Sequence, residues 1–148
     1  MLKIKDGNVF NYAAEGSVIA HGCNAQGKMG SGFAREIRTR FPRAYLHYRD
    51  AFYRGGLELG SYVLVHEKKF DIFNAIIQMY YGREKKVYVD YDAVKKSLTA
   101  CGEYAGRYNK LVHFPLIGGG LAGGDKDKLI SIYEEAFANV DATLYLLN

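Results

Sequence analysis

Two stretches of this chain concentrate residue types that handle anions and protons. The first is His21-Gly22-Cys23-Asn24-Ala25-Gln26-Gly27-Lys28-Met29-Gly30-Ser31-Gly32-Phe33-Ala34, and the second is Pro115-Leu116-Ile117-Gly118-Gly119-Gly120-Leu121-Ala122-Gly123-Gly124-Asp125. Glycine lets the backbone come close to a diphosphate and adopt positive φ. Successive N–H groups in such a loop can form an anion-binding nest. The imidazole of His21 can transfer protons near neutral pH, the requirement for general acid–base work; the plain alternative is a hydrogen-bonded structural histidine. Asp125 reads first as a helix N-cap, worth about 1 kcal/mol. Asn24 could bond a ribose hydroxyl or simply serve as a turn residue. Lys28 and Arg83 could reach a phosphate or simply be solvated. Tyr80 and Tyr81 could stack on a base or ribose, or pack their loop onto the core. Cys23 has no evident base partner in the sequence and is not read as a nucleophile. Neither stretch is a Walker A loop, and no GxGxxG opens the first strand-to-helix turn.

The elements that must carry these loops follow from periodicity. Ser17 to Ala20 is a short apolar run that reads as a buried strand, with the first loop after it. Phe33, Ile37 and Phe41 mark one face of an amphipathic helix, with Arg35, Arg38 and Arg40 on other faces; Pro42 is expected to end it. A second helical piece is expected from Arg43 to about Tyr53. Ser61–His66 and Phe70–Gln78 read as strands around the charged turn Glu67-Lys68-Lys69. Asp90 is an N-cap candidate, followed by Tyr91, Val94, Leu98, Cys101 and Ala105 at helical spacing. Leu111 to Ile117 reads as a buried strand whose end Pro115 demotes to an edge or exit. Leu129 to Val140 is the next helix and Ala142 to Leu147 the last strand. Each glycine-rich stretch thus follows a strand and enters a helix, the junction at which open α/β sheets bind ligands and helix N-termini favour phosphate.

Composition sets the frame. The 148 residues include 17 glycines but only 2 prolines, with 49% hydrophobic and 24% charged residues, the profile of one soluble globular domain spanning residues 1–148. The two cysteines, Cys23 and Cys101, show no metal-ligand spacing, and free thiols in a reducing compartment are expected. No apolar h-region follows Met1 and no stretch is long and apolar enough to span a membrane, so a cytoplasmic protein, probing no membrane, is expected. The net charge of +4 favours an anionic ligand at short range.

With Asn24, Gly27, Met29-Gly30, Gly32 and Ala34 in the first stretch and Ile117-Gly118-Gly119-Gly120-Leu121-Ala122-Gly123-Gly124-Asp125 in the second, the chain resembles the macro domain family over nearly its whole length. The likeness is greatest to the branch of ADP-ribose-1″-phosphate phosphatases and terminal ADP-ribose protein glycohydrolases. The resemblance implies a three-layer α/β/α fold with a mixed central sheet and a cleft for ADP-ribose or a derivative. It implies that Gly22, Cys23 and Asn24, together with Met29, Gly30, Ser31, Gly32, Phe33 and Ala34, line the distal ribose. Ile117, Gly118, Gly119, Gly120, Leu121, Ala122, Gly123 and Gly124 would hold the diphosphate, Asn8 and Val9 would sit by the adenosine, and Tyr81 would contact the ligand. His21 and Asp125 become the implied catalytic pair, Asp125 as base or nucleophile and His21 as acid or orienting group, with no cofactor and no metal.

Three departures from the family bear on function. The order here is Asp6-Gly7-Asn8, where many macro domains have a Gly-Asp pair that reads adenine. Met79-Tyr80-Tyr81 stands where the glycohydrolases carry a lysine. Asp125 is separated from Leu121 by Ala122-Gly123-Gly124, the phosphatase arrangement. The expected function is therefore a phosphatase acting on ADP-ribose-1″-phosphate, working as a monomer. The alternatives are a de-ADP-ribosylating hydrolase acting on a modified macromolecule, an ADP-ribose reader without activity, and, less favoured, a nucleic-acid-binding protein suggested by the pI near 9.0 and pairs such as Lys85-Lys86.

Overall fold

A computed structural model describes residues 1–84 and 86–147; Lys85, half of one basic pair, lies outside the described residues. The elements run β1 (Leu2–Asp6), α1 (Val9–Tyr12), β2 (Val18–Asn24), α2 (Gly32–Arg40), α3 (Pro42–Gly55), β3 (Tyr62–His66), β4 (Asp71–Gln78), α4 (Tyr91–Arg107), β5 (Val112–Pro115), α5 (Lys126–Ala136) and β6 (Ala142–Leu146). The strands form one sheet in the order β1-β6-β5-β2-β4-β3. Strand β3 is antiparallel to β4 and every other pairing is parallel, so the sheet is mixed.

Period-2 alternation divides the core between the two faces. Val18 and Ala20 of β2 join a cluster with Val94, Leu98 and Cys101 of α4 and Leu129 and Tyr133 of α5. Ile19 and Cys23, on the other face, join Ile37 of α2 and Ala44 and Tyr48 of α3. Helices on both faces of a mixed sheet make the expected three-layer α/β/α architecture. Strand β4 is buried along almost its whole length, as a strand covered on both faces must be.

Several local expectations shift. Pro42 ends α2 and also opens α3 at its first turn, where proline's missing N–H costs nothing. Residues His21 to Asn24 belong to β2 rather than to a loop. Gly22 is there for close packing: a Cβ would lie 2.6 Å from Ile77 Cδ1 and 3.2 Å from Ile117 Cγ2. Strand β5 is interior, so Pro115 marks an exit and not an edge. It is tolerated because the ladder to β2 has already ended at Ile19–His113. The helix read to Val140 stops at Ala136.

At the amino end of β4, Asp71 is buried. It accepts hydrogen bonds from Lys110 Nζ (2.7 Å) and the Tyr104 hydroxyl (2.6 Å), and its other oxygen lies 2.8 Å from His66 Nδ1. This network ties β4 to β3 and to the end of α4. No helix among the described residues is long and apolar enough to cross a membrane.

Candidate functional site

The cleft begins where two neighbouring strands part. Strands β2 and β5 pair only at Val18–Val112 and Ile19–His113, after which β2 continues to Asn24 and β5 stops at Pro115. The gap between their carboxyl ends is a switch point of the sheet, since β2 leads on to β4 on one side while β5 neighbours β6 on the other. A cavity of about 790 Å³ opens there, ample for a nucleotide-sized ligand.

Both glycine-rich stretches reach this cavity. From the first, His21 to Asn24 and Lys28 to Ala34 line it; from the second, Pro115 to Ala122. Tyr81 and Arg83 line it from the segment after β4. Asn8, Val9, Gly123, Gly124 and Asp125 do not. Val9 is buried in the core, and the Asn8 side chain caps α1 by accepting the Phe10 N–H at 2.9 Å. Gly123 and Gly124 shape the loop from behind, since a Cβ on Gly124 would run into the Gly118 carbonyl oxygen. Lining residues that the sequence did not single out include Arg38 on α2, Lys126 on α5, Tyr145 and Leu146 of β6 and Leu147 just after it. Arg38 could have been found from Ala34 one helical turn before it.

Backbone donors converge on the cavity. Helix α2 starts at Gly32, and the Ser31 hydroxyl makes no cap hydrogen bond, so the first N–H groups of the helix stay open. In the second loop, Gly119, Ala122, Gly123 and Gly124 donate to loop carbonyls, while the N–H groups of Gly118, Gly120 and Leu121 find no acceptor among the described residues. Gly118 has φ +88° and Gly120 φ +56°, conformations that leave these donors free and that glycine adopts at low cost. The lining carries Lys28, Arg38, Arg83 and Lys126 and, among the described residues, no carboxylate. Open donors, the positive end of a helix dipole and four cations make an anion site.

The polar side chains at the floor are committed inward. Asn24 Oδ1 accepts from the N–H groups of Gln26 (3.0 Å) and Lys28 (3.4 Å) and from the Tyr48 hydroxyl (3.0 Å), while Nδ2 donates to the Lys28 carbonyl (2.9 Å). It holds the first loop in shape, the turn role. His21 Nε2 lies 2.5 Å from Asn74 Oδ1, and its ring meets Phe33 at 5.9 Å between centroids. Burial lowers the His21 pKa to about 4, against the raising effect of the Asn74 contact, so the ring is neutral at pH 7. Cys23 Sγ is 3.6 Å from His21 Nε2, a neighbour the sequence did not reveal; burial pushes the thiol pKa up, so the thiol stays protonated. Asp125 is exposed beside the cleft. Its Oδ2 accepts the Lys128 N–H at 2.9 Å, capping α5, and its own N–H donates to the Tyr91 hydroxyl at 2.9 Å.

Comparison with known proteins bears on the family and the fold. A family model described as "Macro domain" matches residues 20–133. An uncharacterized 17.5 kDa protein from the tk-vs intergenic region of Enterobacteria phage T4 is 30% identical over 140 residues, 90% of this chain and 88% of the phage protein. An ADP-ribose 1″-phosphate phosphatase of Neosartorya fischeri is 36% identical, but over only 45 residues, 30% of this chain and 22% of that enzyme. The solved macrodomain of Thermus aquaticus DarG superposes with a TM-score of 0.82 at 19% identity, covering 100% of this chain and 98% of that one.

Proposed function

This chain belongs to the macro domain family, and from that premise we propose that its cleft binds ADP-ribose and that it is a hydrolase removing phosphate from ADP-ribose-1″-phosphate. The observation that carries the binding is the convergence of two sets of open backbone donors, from the α2 N-terminus and from Gly118, Gly120 and Leu121, on one cavity. A diphosphate brings acceptors for both sets, and charge-assisted hydrogen bonds of this kind are the strong ones. The two riboses and the base then extend to either side.

The hydrolytic step is supported by the partial likeness to the Neosartorya phosphatase. In this reading the Asp125 carboxylate takes a proton from a water molecule. The water oxygen bonds to phosphorus as the phosphorus–oxygen bond to the distal ribose breaks, and the leaving ribose oxygen takes up the proton that Asp125 accepted, so that phosphate and ADP-ribose leave and the carboxylate is restored. His21, neutral and fixed by Asn74, orients the floor under that ribose. Removal of ADP-ribose from a macromolecule is a variant of the same site. The protein is taken as a cytoplasmic monomer.

A second reading, an ADP-ribose reader without activity, is favoured by one observation. Asp125 does not line the cavity, and its carboxylate is engaged as the α5 cap. Two measurements separate these readings. Calorimetric titration with ADP-ribose tests the site itself. Phosphate release from ADP-ribose-1″-phosphate, measured for the wild type and for Asp125→Ala, tests the hydrolase. Release that falls by at least a hundredfold in the variant is expected, within the range general-base removal costs. Binding without release leaves the reader.

A further inference from the structure

We infer that Arg83 is a specificity-determining residue of the cleft, reading the phosphoryl group at C1″ of the distal ribose; this rests on the ADP-ribose reading above. The sheet order orients the ligand. From β6 through β5 and β2 to β4 are three strand spacings, about 14 Å in all at roughly 4.8 Å each. The open N–H groups lie over the two middle strands, at the ends of β2 and β5. A diphosphate held there sends one ligand arm over β6 and the other over β4.

The two ends of the cavity differ in chemistry. Over β6 the lining is Tyr145, Leu146 and Leu147, with Tyr145 stacked on Tyr12 of α1 at 5.8 Å. This aromatic and aliphatic end suits a base. Over β4 the lining is Tyr81, Gly82 and Arg83. The segment that carries them is fixed at both of its ends. Gln78 pairs with Val89 in an isolated bridge, and Gln26 Nε2 of the first loop donates to the Met79 carbonyl at 3.0 Å. On the far side, the Tyr88 and Val89 N–H groups both donate to the Ala122 carbonyl of the second loop, at 2.7 and 3.1 Å. A Cβ on Gly82 would meet the hydroxyl end of the Tyr88 side chain, which packs against this turn. Arg83 is therefore presented between the two glycine-rich loops, and it makes no ion pair among the described residues.

Charge points the same way. A diphosphate brings two negative charges, and four cations line the cavity with no carboxylate among the described residues. A third phosphoryl group, adding nearly two more charges, matches the surplus, and a guanidinium meets a phosphate bidentately. Lys126, beside the second loop, faces the diphosphate common to both ligands. Arg83 faces only what distinguishes them.

The test titrates ADP-ribose and the non-hydrolysable phosphonate analogue of ADP-ribose-1″-phosphate into wild type, Arg83→Ala, Arg83→Lys and Lys126→Ala, with unfolding curves confirming that each variant folds. The wild type is expected to prefer the phosphonate by about tenfold or more, the worth of one charge-assisted contact. Arg83→Ala should erase most of that ratio and Arg83→Lys should restore part of it. Lys126→Ala should lower both affinities and keep the ratio. A wild type that binds ADP-ribose without preference, or an Arg83→Ala ratio equal to wild type, overturns the role of Arg83 and leaves the ADP-ribose site standing. A wild type that binds neither ligand overturns the ADP-ribose reading and this role with it.

Discussion

The His21 imidazole lies inside the molecule with its pKa lowered to about 4 by burial. An unfolded chain would protonate it near 6.5. Between those values the unfolded state binds more protons than the folded one, so stability rises with pH through this window. The contribution is complete above pH 6.5 and is lost as pH falls toward 4. Between pH 7.5 and 5 it amounts to about 2 kcal/mol. His113, also held down by burial, adds in the same direction. His21→Gln keeps a partner for Asn74 without titrating, so urea midpoints should fall less in the variant than in wild type on moving from pH 7.5 to 5. Equal slopes would mean that the ring is not held neutral. The sequence showed the candidates at this scale but not their commitments. Asn24 and His21 were visible as polar residues beside glycines, yet their partners Tyr48 and Asn74 lie 24 and 53 residues away, and it is those partners that turn both side chains inward.

Elements were legible where periodicity was strong and faint where tertiary pairing decides. Helix α4 was readable from Asp90 onward because its cap and its apolar face both appear in local sequence: Asp90 accepts the Ala93 N–H at 2.9 Å, and Val94, Leu98, Cys101 and Ala105 are all buried. Strand β1 left no such trace. It is an edge strand, mostly exposed, and its one partner is β6 at the other end of the chain. The β6 contribution to the cleft was hidden for the same reason. The Asp71 network shows what holds elements together away from the cleft. Burial alone would raise the Asp71 pKa, but hydrogen bonds from Lys110, Tyr104 and His66 outweigh it and hold the carboxyl below its usual value. Its contribution is therefore present above pH 3.8 and lost as pH falls through that lowered pKa. Asp71→Ala should cost about 3 kcal/mol in denaturant unfolding, since it strands a half-buried lysine and a tyrosine hydroxyl. ADP-ribose affinity should hold, because Asp71 sits at the amino ends of strands whose carboxyl ends carry the cleft. A parallel loss of affinity would mean that the two ends of β4 are coupled.

At the scale of the whole molecule, the sheet divides two apolar clusters, and the cleft opens where that sheet splits between β2 and β5. The helix α2 from one layer and the loop into α5 from the other both bring open donors to the split. Binding therefore joins the two layers through a single ligand, and the folded state is the only one that presents both sets of donors. A ligand that recognises only the folded state stabilises it by mass action, about 2.7 kcal/mol at a hundredfold excess over Kd. For a domain of this length that corresponds to a rise in Tm of about 5–10 °C. Part of that rise comes from exposed cations, and their field is screened within about 3 Å at 1 M salt against about 30 Å at 0.01 M. The shift given by saturating ADP-ribose should therefore shrink as salt is added without vanishing, because the backbone donors are shielded in the cleft and make direct contacts. A shift that disappears entirely in salt would assign the binding to the rim cations alone, and a shift indifferent to salt would assign it to the backbone donors alone.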